Sequence, residues 1–347
     1  MARLTRRISA VVAAVLAVGF MPSPAEASPS YGVVSQATLT GRDFERMERG
    51  GVETLRFLLR RPVVEASRGE YNWSSVDPVV EASARHRIEL LPMVYGSPEW
   101  AHEIEAHPPL DDAADRRAWR RFLTALIDRY GPRGVFWQMH PGRPRPIRRW
   151  QLWNEPNFDF YWHPAPSARE YGRLVQTSAD AIRRADPGAE IILGGVASVQ
   201  SGVPWWRFMR NLYEIPGVKR DFDSVALHPY SPGIRLLGVQ IRLMRTVMRD
   251  GGDRRTPLAI TEIGWASAGD PRAPLVVGEA GQARLLRKSF AYLARHQRQW
   301  RISDVQWYAW QDSLAIEAFC SFCAHAGLFD LDGEAKPAWR AYQRAVR

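Results

Sequence analysis

Residues 149–188 read RWQLWNEPNFDFYWHPAPSAREYGRLVQTSADAIRRADPG and form one strand–loop–helix unit. The run Arg149–Trp153 is short and mostly apolar, as is typical of a buried strand. Ser167–Ala185 has the apolar spacing of an amphipathic helix, and the following Asp-Pro-Gly ends it. Glu155 comes just after the strand. The segment therefore predicts a strand covered by its own helix, with a carboxylate at the end of the strand.

The same alternation occurs eight times along the chain. The predicted strands are Tyr31–Ser35, Val52–Leu58, Glu89–Val94, Arg149–Trp153, Ala189–Leu193, Ser224–Leu227, Leu258–Thr261 and Asp304–Trp310. The predicted helices are Asp43–Arg49, Ser75–His86, Arg116–Tyr130, Ser167–Ala185, Trp205–Tyr213, Leu236–Met248, Glu279–Gln297 and Pro337–Val346. Strict alternation favours a parallel sheet, and eight units favour closure into a barrel. We therefore predict the α/β class, a (β/α)8 TIM barrel in a single domain over residues 28–347.

The first 27 residues have the features of a secretory signal peptide. Arg3, Arg6 and Arg7 precede the apolar run Ala10–Phe20, and Ala25–Ala27 provides an A-x-A cleavage site. We expect a secreted or extracellular protein, exported by the Sec route or, given the arginine pair, by the Tat route. No later stretch reaches about 18 uncharged apolar residues, so we expect no membrane span.

Composition excludes some partners. The chain has 347 residues, a formal charge of +10 and 14 Trp. Nearly all its basic residues are arginines, and no basic run is interleaved with aromatic residues, so we expect no nucleic-acid partner. No G-x-G-x-x-G or P-loop follows a predicted strand, so we expect no nucleotide cofactor, and none of any other kind. The absence of G-x-S-x-G argues against an esterase. We expect a monomer.

Cys320 and Cys323 form a C-x-x-C motif, and they are the two cysteines of the sequence. In a cytosolic protein this spacing suggests redox chemistry or half of a zinc site. In a chain predicted to be exported, a local disulfide in a loop is favoured. It would close a short ring and constrain little chain entropy.

The segment His102–His107 resembles the metal-binding helix of zinc proteases. Its two histidines are five residues apart, whereas that motif needs a spacing of four to place both on one helical face. We therefore predict no metal site.

Two predicted strands end in carboxylates, Glu155 and Glu262, which are 107 residues apart. Three repeats of about 36 residues separate them, which is normal for such a barrel. Active sites of these barrels lie at the carboxyl ends of the strands, so the two side chains can face each other across the mouth. Hydrolysis of a glycosidic bond needs such a pair: one acid protonates the leaving oxygen, and the other attacks the anomeric carbon or activates water.

Several motifs resemble those of clan A glycoside hydrolases, with family 39 as the first choice and family 5, which contains cellulases, as the second. The main ones are residues 153–157, WNEPN, and 261–265, TEIGW, with further likeness in GEYNW at 69–73, SPEWA at 97–101, HPY at 228–230, GLFD at 327–330 and KPA at 336–338. The likeness covers most of residues 31–345. It implies a retaining mechanism with Glu155 as acid/base and Glu262 as nucleophile, and a contact from Asn154 to the sugar 2-hydroxyl.

The same resemblance implies further roles near the predicted nucleophile. Arg56 would keep Glu262 ionised, and His228 and Tyr230 would project towards it, with one of them donating a hydrogen bond. Trp310 would form the platform under the sugar at the cleavage point. Trp162, Tyr95 and Trp100 are looser candidates for the walls of the substrate subsites.

The sequence thus predicts a hydrolase of O-glycosidic bonds, expected to be β-linked, that acts on oligo- or polysaccharides by double displacement. Transglycosylation through the same intermediate is an alternative. A carbohydrate-binding protein without activity is another. The sugar, the linkage, and action within chains or at their ends are left open, because the loops around the barrel mouth decide them.

Overall fold

The computed structural model describes residues 28–35, 37–140, 142–198 and 201–347. The predicted signal peptide lies outside these residues. Within them the strands are β1 Ser30–Ser35, β2 Thr54–Arg60, β3 Glu89–Tyr95, β4 Arg149–Leu152, β5 Glu190–Leu193, β6 Val196–Ala197, β7 Val225–His228, β8 Leu258–Ile263 and β9 Ile302–Tyr308. The α-helices are α1 Gly41–Gly50, α2 Arg61–Val64, α3 Asp77–Arg85, α4 Ala113–Tyr130, α5 Val135–Met139, α6 Ala168–Ala185, α7 Trp205–Tyr213, α8 Ile234–Asp250, α9 Gly278–Trp300 and α10 Pro337–Ala345. Apart from the consecutive pairs α2–α3, α4–α5 and β5–β6, helices and strands alternate along the chain, as the sequence predicts.

The described strands form one curved parallel sheet in the order β5-β4-β3-β2-β1-β9-β8-β7-β6. Its two ends approach each other, because Ile192 of β5 forms a parallel bridge with Ser224, the residue before β7. The backbone N–H of Leu193 donates to the carbonyl of Ser224 at 3.0 Å. The sheet is thus a TIM-like barrel with helices around it.

Local sequence accounts for the ends of the helices that follow strands β3 and β4. Asp112 precedes α4 and its side chain accepts a hydrogen bond from the N–H of Asp115 at 2.8 Å. Ser167 does the same for α6, accepting from the N–H of Glu170 at 3.2 Å. Such caps satisfy N–H groups that have no partner within the helix. They fix where each loop on the carboxyl side of the sheet rejoins a helix.

Most predicted bounds agree with the structure to within two or three residues, and the differences involve short segments. The predicted eighth strand ends at Trp310, whereas β9 ends at Tyr308. The helices α2 and α5 and the strand β6 were not predicted. They contain four, five and two residues, too few for a helical or strand period to be recognised.

The barrel interior is apolar in the middle and charged towards the start of the strands. Leu91, Ile192, Ala226 and Ala259 form a fully buried cluster. At the start of β4 and β9, Arg149 and Asp304 form two hydrogen bonds of 2.8 and 2.7 Å. These two strands are separated by β1, β2 and β3 in the sheet, so this ion pair spans the interior.

The long loop between β9 and α10 is held at both of its ends. Nζ of Lys336 donates to Oδ1 of Asp312 at 2.6 Å and to Ser267 at 2.8 Å. Between them, Cys320 and Cys323 are joined by a disulfide with an S–S distance of 2.03 Å. Across the described ranges, no helix combines the length and apolar character that crossing a bilayer requires.

Candidate active site

Glu155 and Glu262 meet at the carboxyl end of the sheet. Glu155 follows the end of β4 by three residues. Glu262 is the next-to-last residue of β8. One oxygen of each carboxylate lies within 4.8 Å of the other and of a ring nitrogen of His228. Glu155 and Glu262 are 9% and 6% exposed, so both side chains are largely buried but keep some contact with solvent.

Glu262 is surrounded by hydrogen-bond donors. Nη1 of Arg56 donates to its Oε1 at 2.6 Å, and the hydroxyl of Tyr230 donates to its Oε2 at 2.7 Å. Burial on its own would raise the pKa of Glu262, but the positive charges of His228 and Arg56 and these hydrogen bonds lower it below the usual value. Glu262 is therefore held as a carboxylate.

Glu155 has a different environment. Nδ1 of His228 lies 2.7 Å from its Oε1 and 3.6 Å from Oε2 of Glu262. Burial raises the pKa of Glu155, and the negative charge of Glu262 acts in the same direction, against the lowering effect of His228. Glu155 is therefore the carboxyl that keeps its proton to higher pH. One ionised and one protonated carboxyl are the combination that acid-assisted displacement requires.

A polar network below the glutamates fixes the guanidinium of Arg56. Its Nε donates to Oε1 of Gln151 at 2.5 Å, and its Nη2 donates to Oδ1 of Asn154 at 2.9 Å. With Nη1 on Glu262, three donors on three edges are engaged, and Arg56 is only 1% exposed. Because the oxygen of Asn154 accepts from Arg56, its amide N–H groups remain directed elsewhere and can donate to a ligand.

The backbone around Asn154 is unusual. Trp153 has φ of 71° and Glu155 has φ of 37°, values that L-residues other than glycine seldom adopt. Such strain persists only where the surroundings impose it, and it concentrates at functional sites. The indole of Trp153 donates to the carbonyl of Tyr161, which anchors the returning loop over this turn.

His228 is fully buried and is oriented from both sides of its ring. Its Nε2 lies 3.0 Å from the hydroxyl of Thr261, on the side opposite Glu155. Gly195 leaves room for the ring, since a Cβ there would stand 2.0 Å from Nε2 of His228. Gln151, Thr261 and Gly195 were not predicted as site residues. The sequence signal for the first two is a polar residue inside an otherwise apolar strand.

The contacts of Trp310 differ from those expected of it. Its indole donates to Asp43 of α1 at 3.1 Å, and its ring packs on Phe329 and Trp339. The structure thus buries Trp310 between the barrel and its outer helices and does not bring it to the glutamates. The reason is that β9 ends at Tyr308, whose ring contacts Tyr230 at 6.2 Å between centroids.

The three looser candidates for subsite walls lie around the β3 and β4 ends. The ring of Tyr95 is 4.6 Å from that of Trp153. Trp162 is fully buried against Trp153, and its indole donates to Glu170. It therefore packs against the backbone turn at residues 153–155. Trp100 donates to the carbonyl of Glu65 and remains partly exposed.

Aromatic side chains from two loops meet above the site, and we call them the aromatic bridge: Phe160 from the β4–α6 loop and Phe319 from the β9–α10 loop. Their ring centroids are 3.7 Å apart, and Phe319 also contacts Phe158 and Tyr161. Phe322 of the same disulfide-closed segment packs edge-on against Tyr230 at 5.2 Å. Since β1, β2 and β3 separate the two parent strands, the contact crosses the barrel mouth.

The trio Glu155, His228 and Glu262 also has the composition of a metal site. However, the guanidinium of Arg56 already occupies one face of Glu262 at 2.6 Å, and the hydroxyl of Tyr230 occupies the other. A cation bound there would be repelled by Arg56 and would displace both donors. The arrangement therefore suits a hydrogen-bonded pair of carboxyl groups better than a cation.

Comparison with known proteins identifies similar folds. No family model matches the chain, and no curated protein matches its sequence. Among solved structures, a family 39 glycoside hydrolase from the gut symbiont Bacteroides cellulosilyticus WH2 aligns with a TM-score of 0.67 at 19% identity, over 92% of this chain and 64% of that one. The exo-β-1,4-mannosidase Op5Man5 from Opitutaceae bacterium strain TAV5 aligns at 0.66 and 15% identity, over 92% and 59%.

A third structure, a GH5_18 protein from Streptomyces cattleya in complex with GlcNAc, aligns with a TM-score of 0.68 at 16% identity, over 92% of this chain and 80% of that one. The chain thus spans 64% and 59% of the length of the first two neighbours. Both families that the sequence motifs suggest are represented among these structures. This chain has the fold of clan A glycoside hydrolases, and glycoside hydrolases of families 39 and 5 are among its structural neighbours.

Proposed function

We propose that this protein is a retaining O-glycosyl hydrolase in which Glu155 is the acid/base and Glu262 the nucleophile. The observation that carries the proposal is the opposite shift in pKa of two carboxyl groups within 4.8 Å of each other. Retaining glycosidases hold their two carboxyl groups about 5–5.5 Å apart, whereas inverting enzymes leave about 6.5–9.5 Å for a water molecule.

In the first step, the Oε2 or Oε1 atom of Glu262 attacks the anomeric carbon while Glu155 gives its proton to the leaving oxygen. The C–O bond to the leaving group breaks, and an ester between the sugar and Glu262 forms. Arg56 and Tyr230 hold the Glu262 carboxylate in place before attack. The ester has no negative charge. Its formation therefore removes the electrostatic effect of Glu262, which adds to burial in raising the pKa of Glu155.

In the second step, Glu155, now ionised, takes a proton from water, which attacks the same anomeric carbon and releases Glu262. Two displacements at one carbon return the original configuration, which is the definition of retention. The drop in the pKa of Glu155 after the first step favours this change from acid to base. Asn154, whose amide N–H groups are free of Arg56, is placed to donate to the sugar 2-hydroxyl.

We propose that the substrate is a β-linked glycoside cleaved at a chain end. The aromatic bridge crosses the barrel mouth through Phe160 and Phe319, and a long polysaccharide lying in an open groove would collide with it. A sugar at the end of a chain can enter beside the bridge and use these rings as a platform for its neighbour. One neighbour in fold is named an exo-β-1,4-mannosidase, which supports the chain-end mode without identifying the sugar.

The remaining parts of the proposal concern the whole chain. We propose that β5 and β6 are one barrel strand interrupted at Gly194 and Gly195, which gives a (β/α)8 barrel in a single domain over residues 28–347. The chain is exported through its first 27 residues, acts as a monomer, and needs no cofactor. The arginine-rich composition and formal charge of +10 favour acidic polysaccharide surfaces as surroundings.

The test is a panel of aryl glycosides and oligosaccharides with wild type, Glu155→Gln and Glu262→Gln. We expect Glu262→Gln to lose activity on every substrate. Glu155→Gln should lose about 10²–10⁴-fold on oligosaccharides but still form the glycosyl-enzyme from aryl glycosides with good leaving groups. Azide should then restore turnover of Glu155→Gln and yield a β-glycosyl azide.

Full activity of Glu262→Gln would contradict the assignment. Tight binding of an oligosaccharide by the wild type, with no turnover of any substrate in the panel, would favour the carbohydrate-binding alternative. Products longer than the substrate at high acceptor concentration would instead identify a transglycosylase that uses the same intermediate.

A further inference from the structure

We propose that His102, His107 and Asp111 bind a divalent transition-metal ion, with Zn²⁺ the best fit, at a site separate from the two glutamates. A spacing of five residues excludes a shared metal only on a helix, where two histidines at this spacing lie on different faces. The structure places this segment in the loop between β3 and α4, outside any helix. A spacing of five residues therefore does not exclude a metal site in this loop.

The loop brings the three side chains together. A ring nitrogen from each histidine and an oxygen of Asp111 all lie within 4.8 Å of one another. Nε2 of His107 is 3.0 Å from Oδ1 of Asp111, and Nδ1 of His102 is 4.0 Å from its Oδ2. Ligand atoms of a tetrahedral Zn²⁺ with bonds of about 2.0–2.2 Å lie about 3.4 Å apart, between these two values.

A fourth side chain prepares His102 for this role. Nε2 of His102 lies 3.1 Å from Oδ2 of Asp115, and the side chain of Asp115 is only 10% exposed. A histidine that ligates a metal almost always donates its other ring N–H to a carboxylate or carbonyl, which leaves the ligating nitrogen with its lone pair. In His102 this pairing directs Nδ1 towards His107 and Asp111.

The ligand-bearing loop is well anchored. The hydroxyl of Ser97 donates to the carbonyl of His107 at 2.7 Å. The N–H of His163 donates to the carbonyl of Ala106 at 3.0 Å, which ties the β3–α4 loop to the β4–α6 loop. The rings of His102 and His107 stack at 4.1 Å, so both donor nitrogens are close together, and coordination requires the two rings to rotate out of this stack until both nitrogens face one centre.

The composition of this corner favours a cation. Three of the eight histidines of the chain, His102, His107 and His163, lie here, with the rings of His107 and His163 5.8 Å apart. The carboxylates of Asp111 and Asp115 add negative charge in a chain whose formal charge is +10. Two imidazoles and a carboxylate are a donor set that suits Zn²⁺.

The experiment is titration of tag-free, chelator-treated protein with ZnCl2 by calorimetry, with Co²⁺ absorption as a second measurement. We expect one equivalent to bind and to raise the melting temperature, since a ligand of the folded state alone stabilises it. His107→Ala and Asp111→Ala should each weaken binding at least about tenfold, as loss of a ligand or its orienting partner does. His296→Ala is the matched control, because this histidine lies on α9, where its ring bonds the backbone carbonyl of Tyr292 and stacks on Trp300.

Binding must also be independent of the glutamates. We expect Glu262→Gln to keep the single equivalent of Zn²⁺. The proposal is overturned if the wild type binds no equivalent, if His107→Ala and Asp111→Ala bind like the His296→Ala control, or if Glu262→Gln abolishes binding. These outcomes do not depend on whether the protein hydrolyses glycosides.

Discussion

At the scale of single residues, two identical side chains have pKa values shifted in opposite directions by their neighbours. Glu155 and Glu262 are both buried, and burial alone would raise the pKa of each. Only Glu262 receives hydrogen bonds from both a guanidinium and a phenol, which favour its ionised form. The direction of each pKa shift, and hence each role, follows from these neighbours.

The first prediction concerns pH. The kcat/KM profile should fall on the acidic side as Glu262 is protonated, at a pH below the usual glutamate pKa, and on the alkaline side as Glu155 ionises, at a pH above it. Tyr230→Phe removes a hydrogen bond to a charged group, about 1.5–3 kcal/mol, so the acidic limb should move up by about 1–2 pH units. An acidic limb that stays in place in Tyr230→Phe would contradict the role given to Tyr230.

The second prediction concerns the position of His228. Gly195→Ala places a methyl group 2.0 Å from Nε2 of His228, so the ring must leave the position in which it bonds Glu155 and Thr261. A displacement of about 1 Å at a reacting group can cost about 10²-fold in rate, so kcat/KM should fall by that order while the fold is kept. Gly41→Ala is the control, because a Cβ there meets nothing within 4 Å. Equal activity of the two variants would show that the placement of His228 is not required.

At the scale of elements, the loop between β9 and α10 contributes aromatic side chains to both the aromatic bridge and the surroundings of Tyr230. Asp312 and Lys336 hold its ends, and the disulfide keeps Phe319 and Phe322 on one short turn. Phe319 reaches the opposite loop, and Phe322 supports Tyr230. The same short segment thus joins the aromatic bridge to a residue that donates to Glu262.

The third prediction tests the aromatic bridge. Phe319→Ala should raise the ratio of activity on long polysaccharides to activity on aryl glycosides. An aromatic pair contributes about 0.5–1.5 kcal/mol, which corresponds to about a two- to tenfold change. Leu331→Ala, an exposed residue of the same loop, should leave the ratio unchanged. A ratio in Phe319→Ala equal to that of the wild type would mean that the bridge does not limit substrate length.

Most of the helices and strands could be predicted from the sequence, because a strand of four to seven residues followed by a helix leaves a repeated pattern of apolar positions. The family resemblance alone predicts Arg56 as a partner of Glu262, and the structure joins the two by a hydrogen bond. Trp310 could not be placed correctly, since an aromatic residue just past a strand end can turn either inward or outward. The aromatic bridge and the histidine cluster depend on how irregular loops fold back, and loops carry no periodic signal.

At the scale of the whole molecule, charged residues stabilise the barrel from within. Arg149 and Asp304 join opposite strands near the start of the strands, whereas the two glutamates lie at the carboxyl end of the sheet, and Asp304 is only 1% exposed. The polar network around Arg56 fills the open end. The apolar cluster of Leu91, Ile192, Ala226 and Ala259 belongs to the interior as well.

The fourth prediction follows from the Arg149–Asp304 pair. Asp304→Asn removes the buried partner of Arg149 and leaves Glu190, 3.0 Å from its Nε, as the remaining counter-charge, so we expect a cost of about 3 kcal/mol, at the lower end of the range for breaking a buried ion pair. The free energy of unfolding in denaturant should fall by that amount. Glu81→Gln, which breaks the exposed pair with Arg85 on α3, should change it by less than about 0.5 kcal/mol. Similar losses in both variants would show that the interior pair adds nothing beyond a surface one.

The role of Glu262 as nucleophile is tested by the anomeric configuration of the first sugar released. This configuration is monitored by ¹H NMR before mutarotation. One oxygen of each carboxyl group lies within 4.8 Å of the other, which is closer than the separation of about 6.5–9.5 Å that direct attack by water needs, so a β-glycoside should give a β-configured product. Release of the α-anomer first would mean direct attack by water and would contradict the assignment of Glu262 as nucleophile.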